Sequence, residues 1–119
     1  MIVRAVLYGI VITFFFHSIE SKAEAPITDC DRYAAEVFDD QKVTEGVHWD
    51  DLDSLKGIKY CIEALEKYPE ETRFLYQLGR SYYKKEEFKK AYNLLLKAAE
   101  KNMHMHTWNL DSSIILKRA

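Results

Sequence analysis

Four glycines and two prolines in 119 residues leave this chain nearly without the residues that punctuate loops and β-turns. Disorder is excluded as well, because charges of both signs are interspersed throughout a chain that is 48% apolar. No strand-type alternation persists anywhere, so the fold class reads as all-α. A basic excess is also missing: 17 Lys and Arg stand against 19 Asp and Glu, which argues against a nucleic-acid binder. The catalytic signatures are absent too. There is no G-x-S-x-G, no H-E-x-x-H, no phosphate-binding glycine loop and no close C-x-x-C. Pairings such as Cys61 with His48 read better as a disulfide half and a loop residue. The expectation is a non-enzymatic protein without a cofactor.

One long apolar run is present, at the start. Arg4 supplies a positive n-region, Ala5–Phe16 carries no charge, and Ser18–Glu24 is a short polar segment with small residues near its end. That layout is a secretory signal peptide over residues 1–23, cut after Ala23, with Ser21 and Ala23 at the two positions a signal peptidase reads. Cutting after Ala25 also satisfies small-x-small but puts Pro26 first in the mature chain. The competing reading is an uncleaved anchor, yet a spanning helix wants about 20 apolar residues and this run stops at His17. Cleavage takes two of the 17 bases and one of the 19 acids, leaving a net charge near −3. About 96 residues remain, enough for one small domain acting in the periplasm or outside the cell.

Cys30 and Cys61 both survive in the mature chain. In an oxidising compartment a single disulfide is the default, closing a loop of about 31 residues. Two buried, unpaired thiols are the alternative.

Along residues 24–69, Asp29–Val37 is a short helix candidate capped by Thr28 or Asp29. A loop follows over Phe38–Trp49, with Trp49 as a hydrophobic staple. Asp50 then caps a longer helix whose stripe holds Leu52, Leu55, Ile58, Cys61, Ile62, Leu65 and Tyr68. Gly57 in its middle suggests close approach of another backbone. Over residues 70–102, helix A is expected at Thr72–Lys84 and helix B at Glu86–Lys101, with Asn102 as a left-handed cap. Residues 103–119 supply a last helix, about Thr107–Lys117, carrying Trp108, Leu110, Ile114 and Ile115.

The span Phe74–Ala99 holds large and small residues in a telling register. With Thr72 as the first of thirty-four positions, Leu75, Leu78, Gly79 and Tyr82 fall on helix A, and Ala91, Leu95 and Ala98 on helix B. In these types and spacings the chain resembles a tetratricopeptide repeat. It is similar also to the Sel-one-like repeat, through Leu78-Gly79, Tyr82, Lys90-Ala91 and Lys97-Ala98-Ala99. The upstream residues Cys30-Asp31, Ala34-Ala35, Gly46-Val47 and Cys61, before Tyr76-Gln77-Leu78-Gly79-Arg80, resemble a two-cysteine cap that precedes such repeats in exported bacterial proteins. The resemblance implies a periplasmic or secreted adaptor without catalytic residues. Asp111 stands where a following repeat needs its glycine, so one complete repeat is expected, its two ends covered either by the Cys30–Cys61 cap and the final helix or by self-association through an exposed face.

On a repeat of this type the concave side of helix A offers Arg73, Tyr76, Gln77, Arg80, Tyr83 and Lys84. These form a basic, aromatic-lined patch suited to an acidic or carboxylate-ending peptide. Lys84-Lys85 and Lys89-Lys90, with Glu86 and Glu87, read as a solvated turn laced with local ion pairs. Met103, His104, Met105 and His106 are thioether and imidazole ligands suited to cuprous copper, so a periplasmic copper-binding protein is the alternative function. A linker with Met103 and Met105 packed down is the plainer reading of the same segment.

Overall fold

A computed structural model describes residues 24–101, in which four helices are the only regular elements. They are α1 (Asp29–Ala34), α2 (Ser54–Lys67), α3 (Thr72–Lys84) and α4 (Phe88–Glu100). The expected signal peptide, Asn102, the Met103–His106 segment and the helix at 107–117 lie outside the described residues.

α1 starts where Thr28, in extended conformation, donates its N–H to Asp31 Oδ2 at 2.9 Å, the reach-back half of a capping box. It stops at Ala34, short of Val37, because Ala35 turns extended. The chain then runs irregularly to residue 53, with an isolated bridge between Glu36 and Val47 as its one piece of strand-type pairing among the described residues. Gly46 takes a positive φ of 86° there, and a Cβ on it would sit 2.8 Å from the Val37 backbone.

α2 begins later than Asp50. Two consecutive turns, Asp51 N–H to His48 O and Leu52 N–H to Trp49 O, first deliver Leu52 into the core at 4% exposure. Asp53 is the cap, accepting from the amides of Leu55 and Lys56 at 3.1 Å each. Its stripe is narrower than expected. Gly57, Cys61 and Ala64 are buried, whereas Leu55 and Ile62 are exposed. Tyr68 closes the helix and lays its ring against Phe74, with centroids 6.2 Å apart.

α3 occupies the expected span. It is joined to α4 by a tight turn with Glu86 at φ 65°, left-handed backbone that costs a non-glycine residue on the order of 1 kcal/mol. Glu87 holds both Lys85, at 2.9 Å, and Lys90, at 2.6 Å, as the expected local ion pairs.

α1 packs on α2 and α3, α2 on α3, and α3 on α4, while α2 and α4 do not meet. The core between them holds Cys30, Ala34, Leu52, Cys61, Ala64, Phe74 and Leu78. Two glycines set the helix separations. A Cβ on Gly57 would lie 2.2 Å from Ser81 Oγ, and one on Gly79 would lie 2.8 Å from Leu95 Cγ. The structure also brings out a regularity between the second and fourth helices. Gly57, Cys61 and Ala64 of α2 each stand thirty-four positions before a buried residue of α4, namely Ala91, Leu95 and Ala98.

Candidate functional site

The Cys30–Cys61 disulfide joins α1 to α2, with Cα atoms 4.5 Å apart and both residues fully buried. It pins α1 across the polar side of α3. Gln77 Oε1 lies 2.9 Å from Cys30 Sγ. A half-cystine sulfur carries no hydrogen, so this is a close sulfur–oxygen contact and not a hydrogen bond.

Asp31 is the hub of a buried polar network between α1 and α3. Its side chain is wholly buried, and all its acceptor capacity is used. Oδ1 accepts from Arg73 Nε at 3.0 Å and Gln77 Nε2 at 3.1 Å; Oδ2 accepts from the Thr28 amide and, at 3.2 Å, its hydroxyl. Arg73 extends the network outward: Nη2 donates to the carbonyls of Ala25 at 2.8 Å and Pro26 at 3.0 Å. A buried ion pair of this kind is tolerable because additional hydrogen bonds surround both partners.

Arg80 does the same for the segment after α1. Nη1 donates to Ala34 O at 3.1 Å and Ala35 O at 2.9 Å, Nη2 to Val47 O at 2.6 Å, and Nε lies 3.0 Å from Glu36 Oε2. That last approach is poorly aligned for a hydrogen bond, so Glu36 acts there as a countercharge. Burial pulls the Arg80 guanidinium below its ordinary pKa, and the Glu36 charge opposes the drop.

The expected open face is therefore corrected at three of its six positions. Arg73, Gln77 and Arg80 are 4%, 0% and 4% exposed, and they point into the protein's own cap. Their hydrogen-bonding chemistry is the expected one, but its partners are α1 and the segments flanking it. Tyr76, Tyr83 and Lys84 remain at the surface, half-buried.

Trp49, expected as a helix-entry staple, joins the last two of these instead. It is 38% exposed, and its ring lies 5.7 Å from Tyr83 and 5.0 Å beneath Lys84 Nζ. Lys84 also donates to Trp49 O at 2.8 Å. Phe88 meets Tyr83 edge-on at 5.3 Å. Tyr76 is pushed up to about 12 by burial, then by the Glu36 charge, with Arg80 opposing. Asp39 also bears on Tyr76, and between Glu36 and Asp39 stands Phe38, 69% exposed. Burial raises the Asp39 carboxyl, the Gln41 amide works against that rise, and Oδ2 is buried without a partner.

A cavity of about 410 Å³ opens near the start of α3, lined by Glu24, Asp40, Lys42, Glu71 and Arg73 among others. Among the described residues no three His, Cys, Asp or Glu side chains are grouped to hold a metal ion, and no helix is long and apolar enough to cross a membrane. No protein-family model matches the chain, and no match is found among curated proteins or solved structures.

Proposed function

We propose that this chain is a non-enzymatic protein-binding module of the tetratricopeptide or Sel-one-like type, acting after export. The observation that carries the reading is the order of packing. α1 touches both α2 and α3, α3 touches α4, and α2 and α4 stay apart. This is the neighbour pattern of stacked helix pairs in which α1 and α3 are successive first helices and α2 and α4 successive second helices. The thirty-four-residue recurrence of Gly57, Cys61 and Ala64 in Ala91, Leu95 and Ala98 supports the same reading. On it, the segment 24–69 is a degenerate first repeat with a six-residue first helix, closed by the disulfide.

The binding face is the part of helix A that the cap leaves open: Tyr76, Tyr83 and Lys84, widened by Trp49 and Phe38. Aromatic side chains with polar tips supply much contact area and are enriched at interfaces. With Arg73 and Arg80 committed to the cap, Lys84 is the base left beside these rings. The partner is a peptide segment recognised by apolar contact, with a carboxylate seated near Lys84.

Photo-crosslinking tests this in the native envelope, with the crosslinker at Phe38 or at Leu55, which lies on the exposed side of α2. A discrete protein adduct from position 38 that is missing from position 55, and is lost in Trp49→Ala/Tyr83→Ala, is expected. Equal adducts from both positions, or full retention in the double variant, refute the assignment of the face.

A further inference from the structure

The side-chain amide of Gln77 lies fully buried against the cystine that joins α1 to α2. Its nitrogen donates to Asp31 Oδ1 at 3.1 Å, and that contact settles which end of the amide is which. A reversed amide would set its oxygen against a carboxylate oxygen that has no hydrogen to give and already accepts from Arg73. The carbonyl oxygen Oε1 is therefore the end aimed at Cys30, 2.9 Å from Sγ. In the cystine that sulfur carries no hydrogen, and among the described residues no other group donates to Oε1. A carbonyl out of reach of water is thus left without a donor, an arrangement that folded proteins seldom tolerate.

Reduction supplies the missing hydrogen. A small dithiol passes two electrons to the cystine: the sulfur–sulfur bond breaks, each Sγ takes up a proton, and the dithiol closes to a cyclic disulfide. The new Cys30 thiol then stands within donor reach of an acceptor already aimed at it. The other fastenings of the cap do not involve sulfur. Arg73 keeps the carbonyls of Ala25 and Pro26, and Arg80 keeps those of Ala34, Ala35 and Val47. We infer that Cys30 and Cys61 form a reversible redox couple whose dithiol state the fold accommodates, with Gln77 as the group that favours reduction. α1 stays docked on α3 in both states, and what changes is how firmly it is held. Both sulfurs are fully buried, so exchange waits for α1 to lift. The couple therefore follows the sustained redox poise of its surroundings and ignores brief excursions.

The whole chain, equilibrated across graded ratios of reduced to oxidised dithiothreitol, then alkylated and weighed by mass spectrometry, gives the midpoint of the couple. Gln77→Leu removes the acceptor. It also gives up the Asp31 contact, but that loss is common to both redox states and cancels in the midpoint. The variant should need about a tenfold higher ratio of reduced to oxidised dithiol, a shift of about 30 mV to lower potential. Reduced wild type should still unfold cooperatively. Its infrared spectrum should hold an S–H stretching band below the position of a free thiol, and Gln77→Leu should return that band to the free position. An equal midpoint, a shift to higher potential, a lowered band that Gln77→Leu leaves in place, or a reduced wild type without cooperative unfolding overturns the inference. Where Gln77→Leu does not fold, Cys61→Ala leaves Cys30 as the only thiol, and a band at the free position there overturns it equally.

Discussion

Gly57 offers the sharpest quantitative test of the packing. In an isolated helix, glycine to alanine is worth about 1 kcal/mol in favour of alanine, so Gly57→Ala stabilises if α2 is merely a helix. The structure says otherwise. The added Cβ would stand 2.2 Å from Ser81 Oγ, 3.0 Å from Ser81 Cβ and 3.4 Å from Ala34 Cβ. Ser81 is fully buried and its hydroxyl donates to Gln77 O at 2.8 Å, so it cannot swing away without abandoning that bond. Overpacking of this kind costs about 1–3 kcal/mol, which offsets the propensity gain and leaves Gly57→Ala destabilising by up to about 2 kcal/mol. Ser81→Ala alone removes a hydroxyl that bonds back within its own helix, and costs about 1 kcal/mol or less. Joined to Gly57→Ala, it deletes the atom in closest conflict. The double variant should then be more stable than the two single changes sum to, with a coupling of about 1–2 kcal/mol. Urea titrations of the four proteins, with the disulfide intact, measure this directly. Additivity within about 0.5 kcal/mol, or a Gly57→Ala more stable than wild type, refutes the close approach of α2 to α3.

Reducing the Cys30–Cys61 bond, which spans 31 positions, should cost about 3.5–4 kcal/mol on the chain-entropy estimate, read as a lower urea midpoint in reductant. An unchanged midpoint would place the stability elsewhere. Asp31→Ala leaves Arg73 and Gln77 buried without their shared acceptor and should destabilise by about 3–5 kcal/mol, far more than Asp29→Ala on the exposed side of the same helix. Because Asp39 is raised in the fold above its unfolded value, ionising it costs stability as pH climbs between the two and keeps that cost at neutrality. Asp39→Asn should therefore melt higher than wild type at pH 7 and lose the advantage as pH falls below the ordinary carboxylate value. Tyr76, at about 12 against an unfolded value near 10, keeps its proton longer when folded, so stability falls by about 2–3 kcal/mol as pH rises from 10 to 12. Tyr76→Phe should remove that slope, with phenolate absorbance following the same titration.

How far residue patterns reach is clearest on α3. Its bounds match the expected span; Leu75, Leu78 and the close approach at Gly79 follow from the resemblance to a thirty-four-residue repeat, and the close approach at Gly57 follows from a glycine in mid-helix. The polar side of α3 does not follow. Arginine and glutamine are ordinarily solvent residues, and nothing local in Arg73, Gln77 or Arg80 reveals that α1 will lie across them from more than forty positions away. The start of α2 is illegible for a different reason. Asp50, Asp51 and Asp53 have identical capping chemistry, and the choice among them is made by the burial of Leu52. Leu55 and Ile62 satisfy a three-four stripe and yet stay exposed, because such a stripe does not state how wide the facing surface is. The correspondence of α2 with α4 is hidden because Gly57, Cys61 and Ala64 share burial with their counterparts, while only Ala64 and Ala98 share identity as well.

Arg80 carries a consequence for how this protein tolerates change. The stretch from Ala35 to Asp53 has almost no ladder of its own, and three of the carbonyls that fix its course, at 34, 35 and 47, find their donor in one guanidinium on a distant helix. Its shape is thus written outside itself. Variation at the exposed tip positions Asp40, Gln41 and Glu45 should be absorbed, and less so at Thr44, whose hydroxyl donates to Asp31 O at 2.9 Å, whereas a single change at position 80 would release both stems together and loosen Phe38 and Trp49, the rings those stems present.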